Sequence, residues 1–164
     1  MVFQITNLLG MHLATPDPCN TPPSMAPVPY PNIAYTTTSI PTATHVFSCC
    51  GIALTMAVKA VTSIGDSAGA GMGIMSGLIM GPASYVTGCF TVLISGQPAV
   101  NTGKLTMQNS TNCYGTAGLL PSQARVFILG WRHGIICLAV LIRFKESLRF
   151  FAGLFGPDDP NHCE

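Results

Sequence analysis

The sequence predicts a mainly β, compact domain with approximate threefold internal repeats, followed by a C-terminal amphipathic helix. Residues 44–51 (THVFSCCG), 91–96 (TVLISG) and 123–130 (QARVFILG) each end a short apolar run on glycine. Gly51, Gly96 and Gly130 thereby close three similar units at spacings of 45 and 34 residues. One such unit has too little apolar surface to be stable alone, so repeated units are expected to build a single object. A proline-rich opening precedes them and cannot be helix. The last 34 residues change to a helical period.

A chain of 164 residues is long enough to bury a core as one domain. Only 8% of its residues are charged, against roughly 25% in an average soluble domain. The formal net charge of +1 provides no field for nucleic acid or an acidic substrate, and neither is expected as a partner. Charge is also unevenly placed. Residues 1–124 carry only Asp17, Lys59, Asp66 and Lys104, whereas the 40 residues from Arg125 carry nine. That shift, with the motifs below, divides the chain into an N-terminal segment (1–15), a domain (16–130) and a C-terminal extension (131–164).

In chain order, the N-terminus MVFQITNLLGMHL has neither a basic start nor a small-residue cleavage site, so no Sec signal peptide is expected. Pro16 to Pro23 and Pro27 to Pro31 form an extended segment short of backbone donors and unsuited to a central strand. Cys19, Val28, Tyr30 and Ile33 give it apolar side chains with which to pack down. Asp66, alone in an uncharged region, is expected to be a turn residue accepting backbone N–H bonds. Residues 67–82 (SAGAGMGIMSGLIMGP) approach a membrane span, but about 20 apolar residues are needed and Asp66 and Pro82 bound the run. Close-packed loop explains its glycines better.

Seven cysteines are an odd number without any CxxC, which favours reduced, mostly buried thiols over a disulfide framework. The four histidines lack the spacing of a helix-borne metal site. Paired acid–base carboxylates would have to be Asp17 and Asp66, 49 positions apart. No GxSxG elbow, GxGxxG or P-loop lysine occurs. Cys49 with His45 is the one thiol pair that suggests a thiol-dependent hydrolase, and a strand-borne HVFSCC segment more often contributes buried sulfur. No enzyme is expected.

The residues from Pro16 onward resemble a known family. Pro16-Asp17-x-Cys19 runs into Pro29-Tyr30-Pro31-Asn32-Ile33-Ala34, then Gly65-Asp66-x-Ala68-Gly69, Ser76-Gly77 and Met80-Gly81-Pro82. Thr87-Gly88-x-Phe90-Thr91-Val92-Leu93, Gly96-x-Pro98-Ala99, Gln108 to Cys113 and Pro121-Ser122-Gln123 complete the set. In this order they resemble the PAAR-like proteins of the DUF4150 group, found with type VI secretion and related contractile injection systems. The resemblance implies a small, tapered, largely β domain that sits on a VgrG-type spike trimer through an apolar base, one copy per trimer. It also implies a chain that is cytoplasmic until assembled, exported by the apparatus, and in contact with membranes only by transient puncture.

Such domains often hold zinc with three histidines and a cysteine. Here Tyr85 stands where similar sequences often have histidine, and the core offers only His12 and His45. If zinc is bound, the resemblance points to Cys19 and Cys113, which lie in the family's blocks, as thiolate ligands, and the register of the glycine-closed units makes His45 the nearest histidine; buried thiols and no metal is the other reading.

The extension lies outside these motifs. Cys137, Leu141, Phe144, Leu148, Phe151 and Phe155 recur in steps of four and three, one apolar face of a helix ended by Gly156-Pro157. The face is expected either to fold back on the domain or spike, or to dock an effector or adaptor. Beside the spike tip, the alternatives are a small hydrophobic membrane or envelope protein and the thiol hydrolase.

Overall fold

The structure is a computed structural model that describes residues 2–129. The expected helix and its face, Leu141, Phe144, Leu148, Phe151 and Phe155, lie outside the described residues.

The fold is mainly β. Two long strands, β1 (Met11–Thr21) and β2 (Ala26–Tyr35), are followed by the short strands β3 (Ser39–Ile40), β4 (Phe47–Ser48), β5 (Gly51–Ile52) and β6 (Lys59–Ala60). Then come β7 (Ala83–Tyr85), β8 (Cys89–Ile94), β9 (Gln97–Ala99), β10 (Leu105–Gln108) and β11 (Cys113–Leu120). Among the described residues, seven strands form one sheet in the order β2-β1-β11-β10-β7-β6-β3, while β4-β5 and β8-β9 are separate hairpins.

Proline explains how the long strands pair. β1 is an interior strand only over Met11 to Ala14, where β11 pairs with it. Pro16 falls in the register shift between Ala14 and Asp17, and Pro18 lies beyond the last β11 pair. Pro27, Pro29 and Pro31 sit on β2, the edge strand, where a missing N–H costs least. From Asp17 to Thr21, β1 and β2 make a two-stranded ribbon, with Cys19 bridging outward to Gly73. The extended segment of the sequence reading is this ribbon.

The glycine-closed units are not equivalent. Units 44–51 and 91–96 each contain the first strand of a two-residue-turn hairpin. In the second, Ser95 and Gly96 have φ of 51° and 77°, the two positive values of a tight hairpin turn. In the first, that turn is Cys49 and Cys50, with φ of 51° and 66°, so Gly51 opens the return strand rather than making the turn. Described residues of the third unit make a single bridge, Phe127 to Phe3.

Residues 2–10 also belong to the domain and do not form a separate segment. Ile5 is fully buried, its N–H donates to Val100, and the Gln4 N–H donates to Val126. The boundary drawn at residue 16 therefore moves to the start of the described chain. Charge density carried no signal there, because the strand-like pairs of Phe3, Gln4 and Thr6 are single long-range bridges.

Apolar burial is confined to one part of the molecule. Ile5, Leu54, Val58, Tyr85, Val100 and Ala117 form one cluster. Ala43, Ala53, Cys89, Ile94, Ala99 and Ile128 form a second, and Ala34, Ala60 and Ala83 a third. None of these draws on residues 15–31, on the loop 61–82, or on the turn 109–112. Those segments bury Asp17, Cys19, Ser63, Asp66, Asn109 and Asn112 instead.

Gly65 shows how tightly they meet. Its φ is +132°, and a Cβ there would lie 2.1 Å from the Pro31 carbonyl oxygen, beside the mutual backbone bonds of Ile33 and Ile64. Gly65→Ala is expected to lower stability by about 2 kcal/mol or more, because backbone must move. Gly96→Ala, also at positive φ but with no atom within 4 Å, should cost about 1 kcal/mol. Chemical denaturation of the two variants checks the order.

Candidate functional site

Asp17 and Asp66, 49 positions apart, meet inside the protein. Both are fully buried, and their carboxylate oxygens lie with Cys19 Sγ within 4.8 Å of one another. Three asparagines converge on them. Asn32 Nδ2 donates to Asp17 Oδ2 at 2.6 Å, and Asn112 Nδ2 donates to Asp17 Oδ1. Asn109 Nδ2 is shared, donating to Asp66 Oδ2 at 2.8 Å and reaching Asp17 Oδ2 at 3.3 Å. The Met80 N–H donates to Asp66 at 3.1 and 3.3 Å from its two oxygens. Asp66 thus accepts a backbone N–H, as expected of a lone loop carboxylate, and an amide that the sequence did not reveal.

Local structure aims each donor. Asp17 is on β1 and Asn32 on the adjacent β2, next to the Asp17–Tyr30 register pair. Asn109 adopts a φ of 46°, a conformation asparagine tolerates better than most residues, at the turn after β10. Its Oδ1 accepts the Gly81 N–H at 3.0 Å, which turns its NH2 toward the carboxylates. Asn112 is pinned the same way, its Oδ1 accepting the Met75 N–H at 2.8 Å. Gly69 permits the approach of loop 61–82, since a Cβ there would meet Cys19 Cβ at 2.3 Å.

Burying a carboxylate costs several kcal/mol unless its oxygens are fully bonded. Bonds to a charged acceptor contribute about 1.5–3 kcal/mol each, so a complete donor set offsets that cost and an incomplete one does not. The cationic side chains of the described residues are Lys59, Lys104 and Arg125, and none of them is buried. Amide and backbone N–H groups therefore carry the stabilisation. Burial, with the negative charges of Asp17 and Asp66, pushes the Cys19 thiol up to about 12. Burial, with Asp17, does the same to Cys113, also to about 12. Both stay protonated thiols at neutral pH.

The zinc ligands suggested by the resemblance are not brought together. Cys19 and Cys113 both lie near Asp17, but His45 is exposed before β4 and its Nε2 is 3.2 Å from Ser95 Oγ on the other hairpin. The register argument for His45 fails because the glycine-closed units are not structurally equivalent. His12 does not replace it. The Gly118 N–H donates to His12 Nδ1 at 2.9 Å, so Nε2 carries the proton and donates to Tyr85 Oη at 2.8 Å. With both ring nitrogens of His12 engaged and Tyr85 in the place of a histidine, the described residues do not fit a three-histidine, one-cysteine zinc site.

Other motif residues are structural. Tyr30 Oη bonds Thr21 Oγ1 at 2.9 Å across the ribbon, whose strands carry Pro16, Pro29 and Pro31. Gly96 and Pro98 build the β8-β9 hairpin. Sequence reading named His12 as a core histidine but not its bonds to Tyr85 and Gly118. Their only signal was its place at a buried, alternating position of β1.

Burial draws His12 down from 6.5 to about 4. Between those values the unfolded chain binds a proton that the folded chain refuses. The contribution is whole above pH 6.5 and is lost as pH falls toward 4, by up to about 3 kcal/mol. In a proton NMR titration the His12 ring should stay neutral at pH 5. A midpoint near 6.5 would contradict its burial between Gly118 and Tyr85.

The Toxin PAAR-like domain family matches residues 10–115, well over half of the chain, from the start of β1 into β11 and across the whole carboxylate cluster. No curated protein and no solved structure matches the chain. The match, the β ribbon and the buried motif residues Asp17, Asn32, Asp66 and Asn109 agree, and the chain belongs to the Toxin PAAR-like domain family, proteins with a secretion-system spike-tip or toxin-related role.

Proposed function

We propose that this protein is a non-enzymatic tip that caps a VgrG-type trimeric spike of a contractile injection system and connects cargo effectors to it. Beside family membership, the observation that carries the reading is a charge-poor surface rich in large apolar side chains. Loop 61–82 exposes Met72, Ile74, Met75, Leu78 and Met80, with Met75 at 72% and no charge between Asp66 and Lys104. Phe90 is 69% exposed on β8. Monomers rarely leave contiguous apolar surface of this kind in water, and permanent interfaces are apolar. No helix among the described residues is long and apolar enough to cross a membrane.

In this reading the spike is the partner of the domain, and the face Leu141, Phe144, Leu148, Phe151 and Phe155 takes an effector or adaptor. Burying each large apolar side chain of that face is worth about 1.5–3 kcal/mol, which favours a docked state. The chain stays in the cytoplasm until assembly and leaves with the apparatus.

Co-expression with the spike protein, followed by native mass measurement, is expected to show one copy of this chain on three spike chains. The chain alone should be poorly soluble. A stable, monodisperse monomer with no affinity for the trimer would overturn the proposal.

A further inference from the structure

We infer that Asp17, Asn32, Asp66, Asn109 and Asn112 form a metal-free clasp, a closed carboxylate–amide network that ties the ribbon, loop 61–82 and the turn 109–112 together without a cation. The cluster first looks like a cation site, with two carboxylates and a thiol within 4.8 Å. Its amides argue otherwise. A cation between the carboxylates would call for amide oxygens turned inward, since NH2 groups repel it. Asn109 and Asn112 cannot supply them, because backbone N–H groups of Gly81 and Met75 hold their oxygens outward. Asn32 is not pinned in this way, for its Oδ1 has no partner although the residue is fully buried. It too presents Nδ2 to Asp17.

The two pinned amides, Asn109 and Asn112, are thus set to serve an anion. Asn109 is the central member. A single neutral NH2 lies between the two carboxylates and holds them in the place a divalent ion would take, also reaching the Leu78 carbonyl at 3.1 Å. Cys19 is peripheral, its Sγ 3.8 Å from Asp17 Oδ1 and 4.0 Å from Asn109 Nδ2. The inference concerns this cluster alone and is independent of the spike-tip proposal.

Elemental analysis of the full chain, purified after growth with added zinc, decides the matter directly. The clasp predicts substoichiometric metal and a thermal midpoint unchanged by EDTA or by zinc, calcium or manganese. Asn109→Asp sharpens the test, since it places a third carboxylate at the centre. In a clasp it lowers the midpoint by about 5 °C or more and no divalent ion restores it. At a cation site it would strengthen binding, and the ion would raise the midpoint. Cys19→Ser should keep the wild-type midpoint within a few degrees. Stoichiometric metal in the wild type, a midpoint that falls with EDTA, or rescue of Asn109→Asp by a divalent ion would each overturn the inference, even if Asn109→Asp alone failed to fold.

Discussion

The shared Asn109 amide between two fully buried carboxylates is the interaction on which the arrangement of this domain depends. Apolar clusters hold the hairpins, the short strands and the N-terminal residues. They contribute nothing to the ribbon beyond Ala14 or to the loop that lies on it. Loop 61–82 contains no strand and exposes most of its large side chains, so apolar burial cannot fix its position. Polar bonds must do so. Asp66 holds Met80, Asn109 holds Gly81, and Asn112 holds Met75 and Ser76, four points along one loop.

Such a design has a physical consequence for the surface. Because the loop is fixed from beneath by polar groups, its apolar side chains are free to face outward, where a partner can cover them. Ile74, Met75 and Leu78 are accordingly exposed and take no part in the apolar clusters. Directional bonds also fix geometry more narrowly than apolar contact does. The cost is sensitivity, since removing one partner leaves a buried charge incompletely bonded.

Much of the fold was legible. Proline spacing marked the extended segment that becomes the ribbon, and two of the three glycine-terminated apolar runs fall in hairpins. Asp66 was read as a loop acceptor because a lone carboxylate among uncharged residues has few other uses. Its meeting with Asp17 was not legible, since 48 residues separate the two and the path of the chain between them decides it. Asn32 and Asn109 were named as motif residues, but an asparagine in a motif reads equally as a turn former. The direction of the Asn109 amide appears only once Gly81 is in place. His45 was misassigned because register arguments assume equal units, whereas the first hairpin turns on Cys49-Cys50 and the third unit supplies a single bridge.

The most direct measurement of the central claim is residue-resolved hydrogen exchange of the wild type and Asn109→Ala. If the backbone bonds between ribbon and loop, such as those of Asn20 with Gly71 and Met72, depend on the carboxylate–amide network, the Met80 and Gly81 amides lose protection in the variant, together with those of the ribbon near Asn20. The Leu54 and Val100 amides, which bond within the apolar half, keep theirs. Equal loss at all of these positions, or none at Met80 and Gly81, would contradict a domain whose two halves are held by different forces.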